Sequence, residues 1–275
     1  MSVCGKQQTS FSINILSPES MLTPNEKEVL IDLKTIIDTF NYRMLLIGAG
    51  ARRLIFDIPF DLNARATRDW DITISIKNWT EYEALRDRII GSQLFKITAV
   101  QHRFIHVKTE IEVDIIPFGE IGEPYQQIEW KDGNLMNIMG FVEAFENSSV
   151  RLIDGREFSV VDIPSLIILK FFAWNDNQKA KHWQDIDFIL TNYDSVSIDN
   201  RIYDELSNEL ADGIIKYQDA GVYLIGKDIQ KRLKVKTLEK LKEILLILTN
   251  DFSGYEDGRG EFSKKIIILQ QAINS

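Results

Sequence analysis

Up to about residue 160, short apolar runs rich in β-branched residues alternate with segments of helical periodicity, and beyond that point only the helical period remains. This change constrains the fold more than any other feature. Strands of period two interleaved with helices imply an α/β or α+β unit, whereas an unbroken series of amphipathic helices implies a bundle. "TPNEKEVLIDLKTIIDTF" reads as a helix, with Thr23 as N-cap, Pro24 at the first helical position, Glu26 three residues after the cap, and an apolar face of Leu30, Leu33, Ile36 and Ile37. "RMLLIG" predicts a buried strand ending at Gly48, and "AGARRLIFDI" a turn running into a short helix. "DITISI" is a further strand, "TEYEALRDRIIG" a helix closed by Gly91, and "IHVKT" with "EIEVDIIPFG" a pair of strands. From Ile163-Pro164 onward the segments are helical: one through "SLIILKFFAW", one carrying Trp183, Ile186, Ile189 and Leu190, then "NRIYDELSNEL", "KDIQKRLK", "KTLEKLKEILLILTND" and "SKKIIILQQAI".

A chain of 275 residues suits two domains of ordinary size. The expected division is a loosely held polar arm over 1–20, a mixed strand-and-helix domain over 21–160 and a helical domain over 161–275. No internal repeat or low-complexity tract interrupts it. The formal charge of −9 argues against a protein that coats nucleic acid nonspecifically, because such affinity comes from neutralising phosphates. Any nucleic-acid partner must meet a local basic patch. Cys4 is the single cysteine, which excludes an intramolecular disulfide framework. No basic-then-apolar leader and no apolar run of roughly 18 residues is present, so the expectation is a cytoplasmic protein without a membrane partner.

The chemistry concentrates around "TRDWDITISI". In a strand, side chains at i and i+2 share a face, so Asp69 and Asp71 project together while Trp70 and Ile72 point away. Two adjacent carboxylates repel each other unless a divalent cation lies between them, and oxygen ligands of this kind suit Mg²⁺, with Mn²⁺ as the alternative, bound together with substrate phosphates. Asp114, alternating with Val113 and Ile115, would bring a third carboxylate if its strand lies beside "DITISI". Glu110 and Glu112 share its face and are rival candidates; Asp114 is preferred because it sits deepest in the apolar run. Three acids of this kind can hold two metals, one activating an attacking oxygen and one clamping a triphosphate.

"LLIGAGARRLI" lacks the spacings of dinucleotide-binding and P-loop motifs, yet a turn through Gly48, Ala49 and Gly50 leading into a helix offers backbone N–H groups to phosphate oxygens. Arg52, Arg53, Arg65 and Arg68 cluster nearby. Arg52 and Arg68 are the candidate phosphate contacts, and the other two are read as solvated. Lys170 interrupts an apolar helix, where an ammonium is costly unless it meets an anion such as a triphosphate, or reaches water along the helix surface. The run "KDIQKRLKVKTLEKLKE" is a solvated face or, through Lys227, Lys231 and Lys234 on one helix, a patch for a polyanionic acceptor. His102, His106 and His182 have no metal-ligand spacing and are read as surface or structural.

Together, "GAGARRLI", "RATRDWDITI", "VDIIPFG", "ILKFFAW" and "KHWQDI" resemble the DNA polymerase β-like nucleotidyltransferase superfamily, and within it the AbiEii/MenT-type bacterial proteins, toxins of toxin–antitoxin and phage-defence systems. The resemblance covers roughly residues 40–235. It implies an α+β fold, with an N-terminal mixed sheet flanked by helices and a C-terminal helical bundle. It also implies that Asp69 and Asp71 bind the metal, that Asp114 completes the site, and that the turn from Gly48 receives an NTP. Lys170 and Asp185 match the downstream lysine and aspartate that close over the nucleotide. Two positions depart from the pattern: Ala49 replaces a residue that is often serine or glycine, and Lys181-His182 stands where relatives have Lys-Asp. The implied activity is transfer of a nucleoside monophosphate from an NTP to an acceptor hydroxyl. RNA, particularly a tRNA 3′ end, is the implied acceptor, and an antitoxin protein the implied partner. A protein or aminoglycoside acceptor, or a degenerate binding protein, are the alternatives.

Overall fold

The computed structural model describes residues 22–62, 69–197 and 201–275. The arm expected over 1–20 lies outside them. The elements in order are α1 (Pro24–Asp38), β1 (Met44–Ile47), α2 (Gly48–Arg52), β2 (Asp69–Ser75), α3 (Trp79–Gly91), β3 (Phe95–Ile97), β4 (Arg103–His106), β5 (Glu112–Phe118), β6 (Gln127–Glu129), β7 (Leu135–Asn137), α4 (Phe141–Glu146), β8 (Ser149–Ile153) and β9 (Arg156–Val160). Helices follow: α5 (Ile163–Asn177), α6 (Ala180–Ser197), α7 (Arg201–Ala211), α8 (Ala220–Arg232), α9 (Val235–Phe252) and α10 (Gly258–Ile273).

Helix α1 starts where its capping signals lie: Glu26 N–H donates to Thr23 Oγ1 at 3.3 Å, and the Glu26 carboxylate accepts from Thr23 N–H at 2.8 Å. Its buried face of Val29, Leu30, Leu33, Ile36 and Ile37 contributes about 1.5–3 kcal/mol per side chain removed from water. Helix α2 begins at Gly48 itself, with no intervening loop, and widens into a π-helical turn over Arg53–Asp57.

Seven strands form one mixed sheet in the order β3-β4-β5-β2-β1-β9-β8, and β6 and β7 form a separate hairpin. Strands β2 and β5 run parallel, as do β1 and β9; the other pairs are antiparallel. Strand β2 starts two residues earlier than the apolar run alone suggests, so both aspartates lie within it. The reason is the neighbouring strand: Asp69 pairs with Glu112 and Asp71 with Asp114, which extends the ladder past the hydrophobic segment.

The sheet ends at Val160 and α5 begins three residues later, with Asp162 accepting a hydrogen bond from Ser165 N–H as the N-cap. Buried apolar side chains form one continuous cluster through the sheet and the helices. Helix α5 packs against α6, α8 and α9 and reaches back to α2, α4 and β7, so it closes over the strand ends. Helix α8 starts seven residues before the segment "KDIQKRLK" that its charges mark. Its early turns contain Gly226, where a Cβ would fall 2.6 Å from that of Ala272, so the glycine permits the close crossing with α10 that a sequence reading penalises.

Candidate active site

Where α5 and the start of α6 face the ends of β1, β2 and β5 there is a cavity of about 230 Å³. From the strands its lining takes Asp69, Asp71, Asp114 and Arg103, and from the start of α2 Gly48 and Ala49. The helices contribute the apolar Leu166, Leu169, Phe172 and Phe141, together with Lys170, Lys181 and His182. Asn137, Asp176 and Asn177 also border it.

The carboxylates meet because period two and strand pairing act together. Asp69 and Asp71 share a face of β2, and the parallel register places Asp114 of β5 directly beside Asp71. Gly48 supplies the room for this. Its φ of +71° is left-handed, and a Cβ there would lie 1.8 Å from Asp71 Oδ2, so only glycine lets the strand end meet the carboxylate. Gly50 is packed on the Trp70 ring rather than bordering the cavity.

Asp71 is the electrostatically stressed member. Burial pushes its carboxyl up to about 6, with Asp69 and Asp114 adding to the rise and Lys170 and Lys181 opposing it. Asp114 is held differently: Arg103 donates to it through Nε at 2.7 Å and Nη2 at 2.8 Å, and through Nη1 to Glu112 at 2.6 Å. Of the rival acids, Glu112 pairs with that arginine at the strand edge, and Glu110 sits in the β4–β5 turn with a φ of +58°. Both border a different cavity, shared with Asp69.

Whether these residues fit a divalent cation can be judged from the donors. Among the described residues no group of three or more His, Cys, Asp and Glu side chains forms a cage that could hold a metal by itself. Mg²⁺ rarely uses such a cage; it keeps several waters and binds one or two carboxylates together with substrate phosphates. Asp71, crowded by two further carboxylates, is a donor of that kind.

Lys170 lies only 12% exposed and does not reach out along the helix to water. Its ammonium meets Asp185 at 2.7 Å. Asp185 does not border the cavity: it joins Lys170 to Arg52, whose Nη1 donates to its other oxygen at 2.7 Å. Burial pushes the Asp185 carboxyl up, but Lys170 and Arg52 outweigh it and hold the group below the usual range. Lys170→Ala is therefore expected to weaken nucleotide binding about tenfold or more, since a charge-assisted contact to phosphate is worth roughly 1.5–3 kcal/mol. Stability should fall less than on loss of Arg52, because Asp185 keeps the Arg52 guanidinium. A fluorescent-NTP titration alongside thermal melts checks this, and unaltered affinity would count against a phosphate contact.

The structure revises several expectations. Arg52, a candidate phosphate contact by sequence, is 1% exposed, lies over the Phe188 ring at 5.3 Å and pairs with Asp57 and Asp185 away from the cavity. Being a full turn into α2, it faces α6 rather than the strand ends. Arg53, read as solvated, is ion-paired with Glu26. Arg65 and Arg68 lie outside the described residues. The basic patch does not form on one helix, because Lys234 follows the end of α8, and each lysine has its own acid: Lys227 with Glu209, Lys231 with Glu205, Lys234 with Glu146. His106 is structural, between Asp32 and Thr109. His182 borders the cavity instead, and Arg103 was unmarked in the sequence because its role depends on the β4–β5 register.

The family model described as nucleotidyl transferase AbiEii toxin, type IV toxin–antitoxin system, matches residues 37–246. The chain belongs to this AbiEii family. No curated protein matches its sequence. Among solved structures, the antibiotic-resistance factor ANT(2'')-Ia in solution is similar at 15% identity and a TM-score of 0.36, covering 70% of this chain and 98% of that one. An antigenic nucleotidyltransferase-like protein from Paracoccidioides brasiliensis is similar at 15% identity and a TM-score of 0.42, covering 70% and 88%. The matched span of the AbiEii family includes every described residue of the cavity, from Ile47 to His182. Among the described residues no helix is long and apolar enough to cross a membrane.

Proposed function

We propose that this AbiEii-family chain transfers a nucleoside monophosphate from an NTP to an acceptor hydroxyl and releases pyrophosphate. The observation that carries the reading is the pairing of Asp71 with Asp114 across parallel strands, with Asp69 beside them, in a cavity also lined by Lys170 and Lys181. Family membership supports a nucleotide substrate. Asp69, Asp71 and Asp114 would hold Mg²⁺ or Mn²⁺, which supplies charge neutralisation on the triphosphate and acidifies the acceptor hydroxyl.

The protein's own groups divide the remaining work. Lys170, oriented by Asp185, and Lys181 attract the β- and γ-phosphates, while the Gly48–Ala49 backbone lets the triphosphate approach Asp71 without a side chain in the way. The acceptor oxygen attacks the α-phosphorus, the bond to the bridging oxygen of the β-phosphate breaks, and the hydroxyl proton leaves to the carboxylate cluster or water. Leu166, Leu169, Phe172 and Phe141 offer an apolar surface to the base and exclude water around it.

In the context of the family the acceptor is RNA, with a tRNA 3′ end foremost, and the product arrests growth until an antitoxin protein counters the effect. The internal pairing of Lys227, Lys231 and Lys234 favours a second reading, a protein or small-molecule acceptor, since that patch is already neutralised. Purified protein with each α-labelled NTP, Mg²⁺, and either total RNA or total protein separates them. Label in RNA, lost when Mg²⁺ is chelated, is the expected result. Label in protein or a small molecule alone would reject the RNA acceptor, and no label in any fraction with any NTP would reject the transfer itself.

A further inference from the structure

His182 stands in the first turn of α6 and borders the cavity although the residue is only 8% exposed. Both ring nitrogens are buried and have no hydrogen-bond partner among the described residues. An imidazole always carries at least one N–H, and leaving a buried donor unpaired is unfavourable enough that native structures rarely do it without reason. Nearby groups do not relieve it. The adjacent carboxylate, Asp185, is already taken by Lys170 and Arg52, and the other charges around the ring are the cations of Lys170, Lys179 and Lys181. Burial first, and then Lys170 and Lys181, push the imidazole down to about 4, so near neutral pH the ring is uncharged, with one donor and one acceptor nitrogen. A polar group without a partner among the described residues, beside lysines and next to an open cavity, points to an anionic ligand.

We propose that His182 is a positioning residue for the triphosphate: with nucleotide in the cavity, its ring N–H turns onto a non-bridging phosphate oxygen between Lys170 and Lys181. This deepens the nucleotidyltransferase reading and rests on it. The lysines attract the polyanion through charge without fixing its orientation, since an ammonium is a point charge on a flexible stem. The imidazole adds a directional donor from a rigid ring, held at the N-terminal end of an 18-residue helix. A purely structural histidine would pair at least one of its nitrogens within the protein; among the described residues this one pairs neither.

The test uses two substitutions in the full-length chain, with binding of each NTP and of inorganic tripolyphosphate measured in Mg²⁺, and melting measured without ligand. His182→Phe fills the volume and removes both nitrogens; His182→Gln keeps a donor and an acceptor. Expected are a melting temperature for His182→Phe equal to or above that of the unmodified protein, a loss of about tenfold or more in affinity for NTP and tripolyphosphate alike, and partial recovery with His182→Gln. If the unmodified protein binds NTP and His182→Phe binds it equally well, the role of His182 is overturned while the nucleotide site stands. If the unmodified protein binds neither probe, the nucleotide reading of the cavity fails and takes this inference with it. Affinity lost for NTP but not for tripolyphosphate would overturn the phosphate contact, and stability lost together with affinity in both variants would make the residue structural.

Discussion

Asp71→Asn is expected to abolish nucleotide transfer and, at the same time, to raise the melting temperature of the metal-free protein at neutral pH. The two effects share one cause. In the folded protein the Asp71 carboxyl is pushed up to about 6 by burial and by Asp69 and Asp114, against an ordinary 3.8. A proton is therefore bound more tightly by the folded than by the unfolded chain between about pH 4 and 6, and stability falls as pH rises through that window. At pH 7.5 the ionised group destabilises the metal-free fold by up to about 3 kcal/mol, at 1.36 kcal/mol per pKa unit. Asparagine keeps the shape and removes the charge, so the gain should be a few degrees in melting temperature near pH 7.5 and nothing at pH 4. Added Mg²⁺ should stabilise the unmodified protein and leave the variant unmoved. Melting curves from pH 4 to 8 with and without Mg²⁺, alongside transfer assays, decide the matter; undiminished transfer, or a variant that melts lower at neutral pH, would remove Asp71 from the metal-binding role.

The largest loss of stability is expected from Arg52→Leu. The guanidinium lies between Asp57 and Asp185, and removing it leaves the first carboxylate buried without its arginine and the second with Lys170 alone. Breaking one side of a buried ion pair typically costs about 3–5 kcal/mol, on the order of 10 °C in melting temperature for a chain of this size. Arg52→Lys should fall between, because one ammonium cannot span both acids as the planar fork does. The pH dependence has a definite sign. Burial already raises the Asp57 carboxyl despite Arg52, so without the arginine it rises further, and the deficit should shrink as pH drops toward 5 and Asp57 takes a proton. Urea unfolding at pH 5 and 7.5 measures this. A deficit that is the same at both, or absent, would show that the arginine is not what stabilises these carboxylates. Lys170 should also be drawn more firmly to Asp185 in the leucine variant, so transfer measured below the melting transition should drop as well.

The sequence by itself determined the elements and the faces they present. Period-two alternation placed Asp69 and Asp71 on one side of β2, the Thr23–Glu26 capping box marked where α1 begins, and helical spacing after residue 160 marked the change from sheet to helices. All of these depend on neighbours a few positions apart, which is the range over which backbone geometry repeats. Tertiary structure alone decided how the charges are paired. Arg52 is 133 residues from Asp185, and its preference for that carboxylate over a phosphate follows from α2 packing near α6. Arg103 reaches Asp114 only because the β4–β5 register sets them opposite each other, and a shift of one residue would turn it to the other face. The lysines of α8 looked like a free basic face until α7 brought Glu205 and Glu209 against them. In the sequence His182 was marked only as a departure from the family pattern, since an isolated histidine is the same in any window; what distinguishes it is a cavity on one side and no partner among the described residues, and both depend on where α5 and α6 meet the sheet. Electrostatic interactions act across space between elements far apart in the chain, so their partners are set by packing and not by any local pattern.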